Sequence, residues 1–332
     1  MAQVNQDLVQ AIGRRCADQK NATVDLDATV IESCKREAKP TYEGGRGYQP
    51  LLALWAEMDL TLADAFRDGN VPAHVKPLLT AQRAFAPLPG SVREFSFRGD
   101  AACWDRELVN WLRDERRENG PQGVIPFAIS VRMTANRKKH ILRLPDTLWK
   151  PYREEGEAVS ECADLLNYWP EQEERPEGAG PLPYGAIRVR KRQAELFGDG
   201  SEYRYFVVAT NQWEWSGKKL LEWHREKAGS IEALHEVVKN ELAAGVMPCG
   251  RLGANAPWLR LALLRHNVLT ALKRIALPPE WLKARPKRLR FHFFYSPGKL
   301  IHHPRRLVVR VARRAWELLA WAEAWRLLPA TG

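Results

Sequence analysis

Residues 23–31 read Thr-Val-Asp-Leu-Asp-Ala-Thr-Val-Ile, a β-branched run in which apolar and polar side chains alternate. A period of two predicts a strand with Asp25 and Asp27 on one face. Two acids on an otherwise apolar strand cost free energy unless they meet water, a counter-charge or a metal ion. A solvent-facing edge would accommodate both without any chemistry, so the pattern alone leaves both readings open.

Working outward, residues 4–18 predict a short helix before this strand. A turn with Gly44, Gly45 and Gly47 follows it, and residues 51–58 (LLALWAEM) and 60–67 (LTLADAFR) read as two further strands. A helix opens at Asn70 or Pro72 and runs to about Phe85. Residues 92–100 (VREFSFRGD) are a strand ending at Asp100. An acid there either serves a site at the strand's end or caps the next helix. Residues 103–118 predict a helix striped by Trp104, Leu108, Trp111 and Leu112, and residues 124–133 a fifth strand. Residues 154–177 hold nine acids against one Arg, and Pro and Gly cluster over 170–185, which reads as a loop or linker. Strands follow at 185–193 and 203–211, then helices from about Gly229 to Ala244 and from Pro257 to Leu277. Residues 291–311 read as a hairpin or extended arm, and Ala315 to Leu328 as a Trp-rich helix. The order predicts an α/β fold: a ribonuclease-H-like mixed sheet flanked by helices, with an inserted β-rich subdomain. The corresponding division is 1–131 and 219–280 for the core, 132–218 for the insertion, and 281–332 for a C-terminal arm and helix.

The 332 residues, 45% hydrophobic, suffice for a sizeable core. Net charge is +11, and eleven of the 51 Lys and Arg lie between Trp281 and Arg314 with no acid among them. The remaining forty basic residues balance the forty acidic ones, so the whole excess is in this stretch. It would attract a phosphate backbone or an anionic surface, unless it is simply a solvated face. The five cysteines are scattered with no CxxC pair, which argues against a zinc site or a disulfide framework and for a reducing cytoplasm. The apolar run Trp258–Leu277 is broken by Arg260, Arg265, Lys273 and Arg274, so no membrane span is expected.

Other motifs carry little. SGKK at 216–219 lacks the spacing of a phosphate loop, the glycines at 44–47 have no dinucleotide-binding register, and His302 and His303 sit in the basic arm. On the helix after Gly229, Glu232 and Lys239 lie two turns apart on one face, with His235 and Glu236 between them. That arrangement suits metal binding beside a phosphate contact and equally suits a surface salt-bridge ladder.

Three segments together resemble the insertion-sequence DDE-type transposases, in the branch with a β-rich insertion before the catalytic Glu. They are DLDATVIES at 25–33, SFRGDAA at 96–102, and the block from Trp223 to Trp258 beginning WHREKAGSIEALHEVVKNEL. GYQPLLALWAE, FRDGNVPA and RHNVLTALKR are also typical, so the likeness covers most of residues 20–315. The resemblance implies a catalytic, metal-binding triad of Asp27, Asp100 and Glu232. It implies two Mg²⁺ ions, with Mn²⁺ as a substitute, and cleavage and strand transfer of double-stranded DNA at transposon ends and target. It further implies a homodimer on DNA in a prokaryotic cytoplasm. DNA contacts would come from Lys239, Arg225 and Lys227 near the site, and from Arg288, Arg290, Arg305 and Arg306 in the arm. The 131 residues between Asp100 and Glu232 agree with an insertion.

Two departures stand out. The family's Tyr-x2-Arg-x3-Glu-x6-Lys signature is met at Glu232 and Lys239, but its Tyr position holds Arg225 and its Arg position Ala228. Only 26 residues precede Asp27. The expectation is therefore an N-terminally truncated transposase core, with a non-catalytic DNA-binding remnant or inhibitor of a full-length relative as the alternative. A host nuclease of the same fold is a third possibility.

Overall fold

A computed structural model describes residues 1–155, 158–165, 182–190, 203–295 and 297–311. After helix α1 (Ala2–Arg15) come strands β1 (Asn21–Ala28), β2 (Leu51–Trp55) and β3 (Leu60–Ala65), helix α2 (Pro77–Phe85), β4 (Glu94–Gly99), helix α3 (Arg106–Arg113) and β5 (Phe127–Val131). Helix α4 (Ala135–Ile141) leads to β6 (Lys150–Glu155), β7 (Ala158–Leu165), β8 (Tyr184–Arg190) and β9 (Tyr203–Thr210). Then come α5 (Gly217–Arg225), α6 (Ile231–Asn240), α7 (Leu252–Ala271) and a hairpin of β10 (Gly298–His303) and β11 (Arg306–Val311).

The main sheet runs β3-β2-β1-β4-β5-β9-β8-β7-β6. β2 is antiparallel to β1 and β3 to β2, whereas β1, β4 and β5 are mutually parallel, their crossovers made by α2 and α3. This is the mixed, helix-flanked, ribonuclease-H-like arrangement expected from the sequence. The inserted strands do not make a sheet of their own: β9 pairs antiparallel with β5, and β8, β7 and β6 continue outward from it.

Strand alternation divides the core. Val24 and Leu26 of β1 and Leu51, Ala53 and Trp55 of β2 join the cluster that receives Val9 and Ile12 of α1, Phe85 of α2 and Leu108 of α3. Leu52 and Leu54 point the other way, against Leu234 and Val238 of α6 and Leu259 and Leu263 of α7. Register pairs Asp27 with Leu52 and Asp25 with Leu54, so both acids share the face that α6 covers.

Several boundaries differ from the sequence reading, each for a local reason. α2 begins at Pro77, after Lys76 in a left-handed conformation (φ 52°), because Arg67 holds the preceding loop through the carbonyls of Ala73 and Val75. The helix read over 103–118 is short: Asp105 caps its start through the Leu108 N–H, and Asp114 is already extended. α7 starts five residues before Pro257, which falls inside it. The acidic stretch read as a loop includes strand β7, where Cys162 and Ala163 are buried. Helix α5 has no counterpart in the sequence reading; Ser216 caps it by accepting from the Lys219 N–H. The Trp-rich helix expected from Ala315 lies outside the described residues. No helix among the described residues is long and apolar enough to cross a membrane.

Candidate active site

The strand register builds the site. β1 and β4 run parallel with Asp25 opposite Arg98 and Leu26 opposite Gly99, so the next residues along the two chains are Asp27 and Asp100. Neighbouring strands lie about 4.8 Å apart, which sets these two carboxylates side by side at one end of the sheet. The close packing behind Asp100 needs glycine: a Cβ on Gly99 would stand 2.6 Å from Cys103 Cβ. His224, buried on α5, holds the same peptide by donating from Nε2 to the Gly99 carbonyl at 3.0 Å, with Ser130 Oγ at 3.2 Å. Burial lowers the His224 pKa to about 4, against the Gly99 hydrogen bond, so the ring is neutral at pH 7.

A buried ion-pair network fastens the third element to this end of the sheet. Arg98 donates from Nε to Asp25 Oδ1 at 2.6 Å and from Nη2 to Oδ2 at 3.0 Å. Its Nη1 reaches Glu226 Oε2 at 2.7 Å and the Trp223 carbonyl at 2.9 Å. Ser230 Oγ donates to Asp25 Oδ2. Asp25 and Arg98 are almost wholly buried, at 0% and 2% exposure. Asp25 is thus a structural partner of Arg98, and their network ties the corner between α5 and α6 to β1 and β4.

That corner is a 3-10 turn, Glu226–Gly229, carrying Lys227. The Lys227 ammonium lies 3.4 Å from Asp27 Oδ2 and 3.0 Å from Glu232 Oε1. Glu232 is in the first turn of α6, where the helix dipole favours a negative charge. Asp27 Oδ1 accepts from the Ala28 N–H, and Asp100 Oδ1 accepts from the Ala102 N–H, capping a short 3-10 turn. Burial raises the Asp27 pKa to about 7; Lys227 opposes the rise, and Asp100 and Glu232 add to it. Lys227 stays charged despite its burial because Asp27, Glu232 and Asp100 surround it.

The structure therefore brings Asp27, Asp100, Glu232 and Lys227 together. Glu236 is elsewhere, paired through both oxygens with Arg285 at 2.7 and 2.8 Å. His235 is buried, its pKa lowered to about 3 first by that burial, and its Nε2 has no hydrogen-bond partner among the described residues. Lys239 is half-buried, its pKa lowered by burial against the pull of Glu43 and Glu32. Arg225 stacks over the Tyr152 ring at 5.0 Å, and Arg288 over Trp281 at 4.7 Å. Arg290 is in a π-turn, and Arg305 and Arg306 are exposed on the hairpin.

Sequence reasoning missed the partners. Arg98 was signalled by an Arg inside an apolar strand beside a strand with a buried acid, but only the register reveals the pairing. A groove next to Asp100, about 600 Å³ in volume, is lined by Tyr42, Gln49, His74 and Arg132 among others. Arg132 Nη2 and His74 Nδ1 are 2.7 Å apart across it.

The donor chemistry suits a hard divalent cation, which takes oxygen ligands and keeps some of its waters. Three carboxylates lie near this end of the sheet, and the Lys227 ammonium stands between two of them, Asp27 and Glu232. Among the described residues, no three acidic, His or Cys side chains are yet close enough to share one ion.

A comparison with curated proteins returns no match. Eight solved chains match. One is the piggyBac transposase in a synaptic complex with hairpin DNA, at 11% identity and a TM-score of 0.45 over 95% of this chain and 55% of that one. The chain thus spans about half the length of that transposase. The model of the transposase DDE domain, group 1, matches residues 1–327. The chain belongs to the transposase DDE domain family.

Proposed function

We propose that this chain is the catalytic domain of a DNA transposase, with Asp27, Asp100 and Glu232 as its metal ligands. The observation that supports this most is the register that sets Asp27 beside Asp100 at the ends of two parallel strands, under the helix carrying Glu232. Bound Mg²⁺, or Mn²⁺ in its place, supplies an activated water and neutralises the phosphate under attack. Asp27 and Asp100 hold the cations from rigid strand ends, and Glu232 completes the set from α6. Lys239 and Arg132 bind nearby phosphates, and Arg225 and Lys227 add positive charge beside the triad. The 3′-hydroxyl left by the first cut is the nucleophile for strand transfer. Double-stranded DNA, both transposon ends and target, is the substrate, and the working complex is a homodimer.

The basic arm supports DNA binding through the faces of its hairpin. Lys299 is opposite Arg310 and His303 opposite Arg306, on the face that also carries Ile301 and Val308; Leu300, Val309, His302 and Leu307 lie on the other. A two-stranded ribbon of this kind fits the major groove of duplex DNA. Arg288, Arg290, Arg305 and Arg306 extend the cationic surface.

The test is divalent-metal-dependent nicking of duplex DNA. The wild-type chain is expected to nick, and Asp27→Asn, Asp100→Asn and Glu232→Gln to bind DNA without nicking. Undiminished nicking by any of the three removes that residue from the triad. A second reading, a DNA-binding remnant without chemistry, is favoured by Ala228 at the signature's Arg position. It predicts DNA binding with no nicking by the wild-type chain.

A further inference from the structure

We propose that Lys227 is an internal counter-ion of this site, holding Asp27 and Glu232 together until a divalent cation displaces it. The inference rests on the reading that these acids bind the cation, and it assigns a role to a residue outside the family's signature positions. Lys227 bridges β1 and α6 with one ammonium, 3.4 Å from Asp27 and 3.0 Å from Glu232. Both Lys227 and Asp27 are more than nine-tenths buried, so neither charge is satisfied by bulk water. A buried charge persists only when it is paired.

The distances also show that the ammonium and a metal ion are alternatives. A Mg²⁺ ion holds its oxygens at about 2.1 Å, well inside the separations that Lys227 imposes. The carboxylates must close on the ion, and the ammonium would then face a doubly charged cation across the same oxygens. Lys227 is built to leave: it sits on a 3-10 turn and reaches the acids on a four-carbon stem. The turn itself stays in place, because Glu226 and Trp223 are bound by Arg98 and Ser230 is bound to Asp25. The side chain can therefore exchange partners while the turn and the start of α6 keep their place, and the Glu232 carboxylate closes on the ion. Once displaced, the ammonium remains next to the site, where a DNA phosphate is its natural partner.

The test measures Mn²⁺ binding to the full chain by titration calorimetry at pH 8, without DNA. Lys227→Met should bind Mn²⁺ about tenfold or more tightly than wild type, because the competing charge is gone. Lys227→Arg, which keeps the charge, should stay near wild type. Metal-free Lys227→Met should melt below wild type, and saturating Mn²⁺ should close that gap. A folded Lys227→Met chain with unchanged or weaker Mn²⁺ affinity overturns the proposal. Asp27→Asn separates the two readings: if it binds Mn²⁺ as well as wild type, the metal assignment itself fails. If it loses Mn²⁺ while Lys227→Met is unchanged, only the counter-ion role fails.

Discussion

At the residue scale, the site holds three carboxylates around one ammonium, and the most buried acid carries the consequence. Asp27 has its pKa raised to about 7 in the folded chain by burial, only partly offset by Lys227. The unfolded chain gives up this proton near the ordinary aspartate pKa of about 4. The folded metal-free protein is therefore penalised as pH rises from about 4 to about 7, by a total on the order of 4 kcal/mol. Asp27→Asn, which cannot ionise, should lack this loss. Thermal melts across that range, in chelator, should show the wild type falling relative to the variant; parallel curves would contradict the burial argument. Asp27 and Asp100 were legible in the sequence as strand residues, and Glu232 through resemblance. Lys227 was legible only as nearby charge, because the direction of its side chain depends on the 3-10 turn ahead of α6.

At the scale of elements, the Arg98 network decides whether α6 meets the sheet correctly. Removing Arg98 leaves Asp25 wholly buried without its counter-charge. Arg98→Met should therefore cost about 3–5 kcal/mol and lower metal affinity through misplacement of α6. Asp25→Asn should be destabilising too, although Asp25 is not a ligand. If Arg98→Met melts like wild type, the network does not fasten the corner. Gly99→Ala tests the strand end: its Cβ would meet Cys103, at a cost of about 1–3 kcal/mol. Calorimetric unfolding measures both. The strands on either side of these residues were readable from alternation, because one face is apolar and the other is not. β7 was hidden by its acidic neighbourhood, and its place in the sheet comes from pairing with β8, which no local pattern encodes. α5 was legible in principle, since Gly217, Leu220, Leu221 and His224 recur at helical spacing behind the Ser216 cap.

At the scale of the whole molecule, charge and chemistry are separated. The proposed triad sits at the end of the central strands, while the excess positive charge is carried by the C-terminal segment and its hairpin. Replacing Lys299, Arg306 and Arg310 with Ala should weaken duplex binding and reduce its dependence on salt, by a log–log slope of about 0.9 for each phosphate no longer neutralised. Melting should be unaffected, since all three side chains are exposed. An unchanged salt slope would remove the hairpin from the DNA interface. The charge excess here was plain in the sequence. The placement of Lys299, Arg306 and Arg310 on one face of the ribbon was not, because it depends on register.

The central claim is that Asp27, Asp100 and Glu232 converge to hold a divalent cation. Crystals of the chain soaked in Mn²⁺ and measured at the manganese absorption edge test it most directly. The account predicts an anomalous peak between the Asp27 and Asp100 carboxylates, with Glu232 drawn in and Lys227 turned away. A peak elsewhere, or none with Lys227 still bridging Asp27 and Glu232, would contradict it.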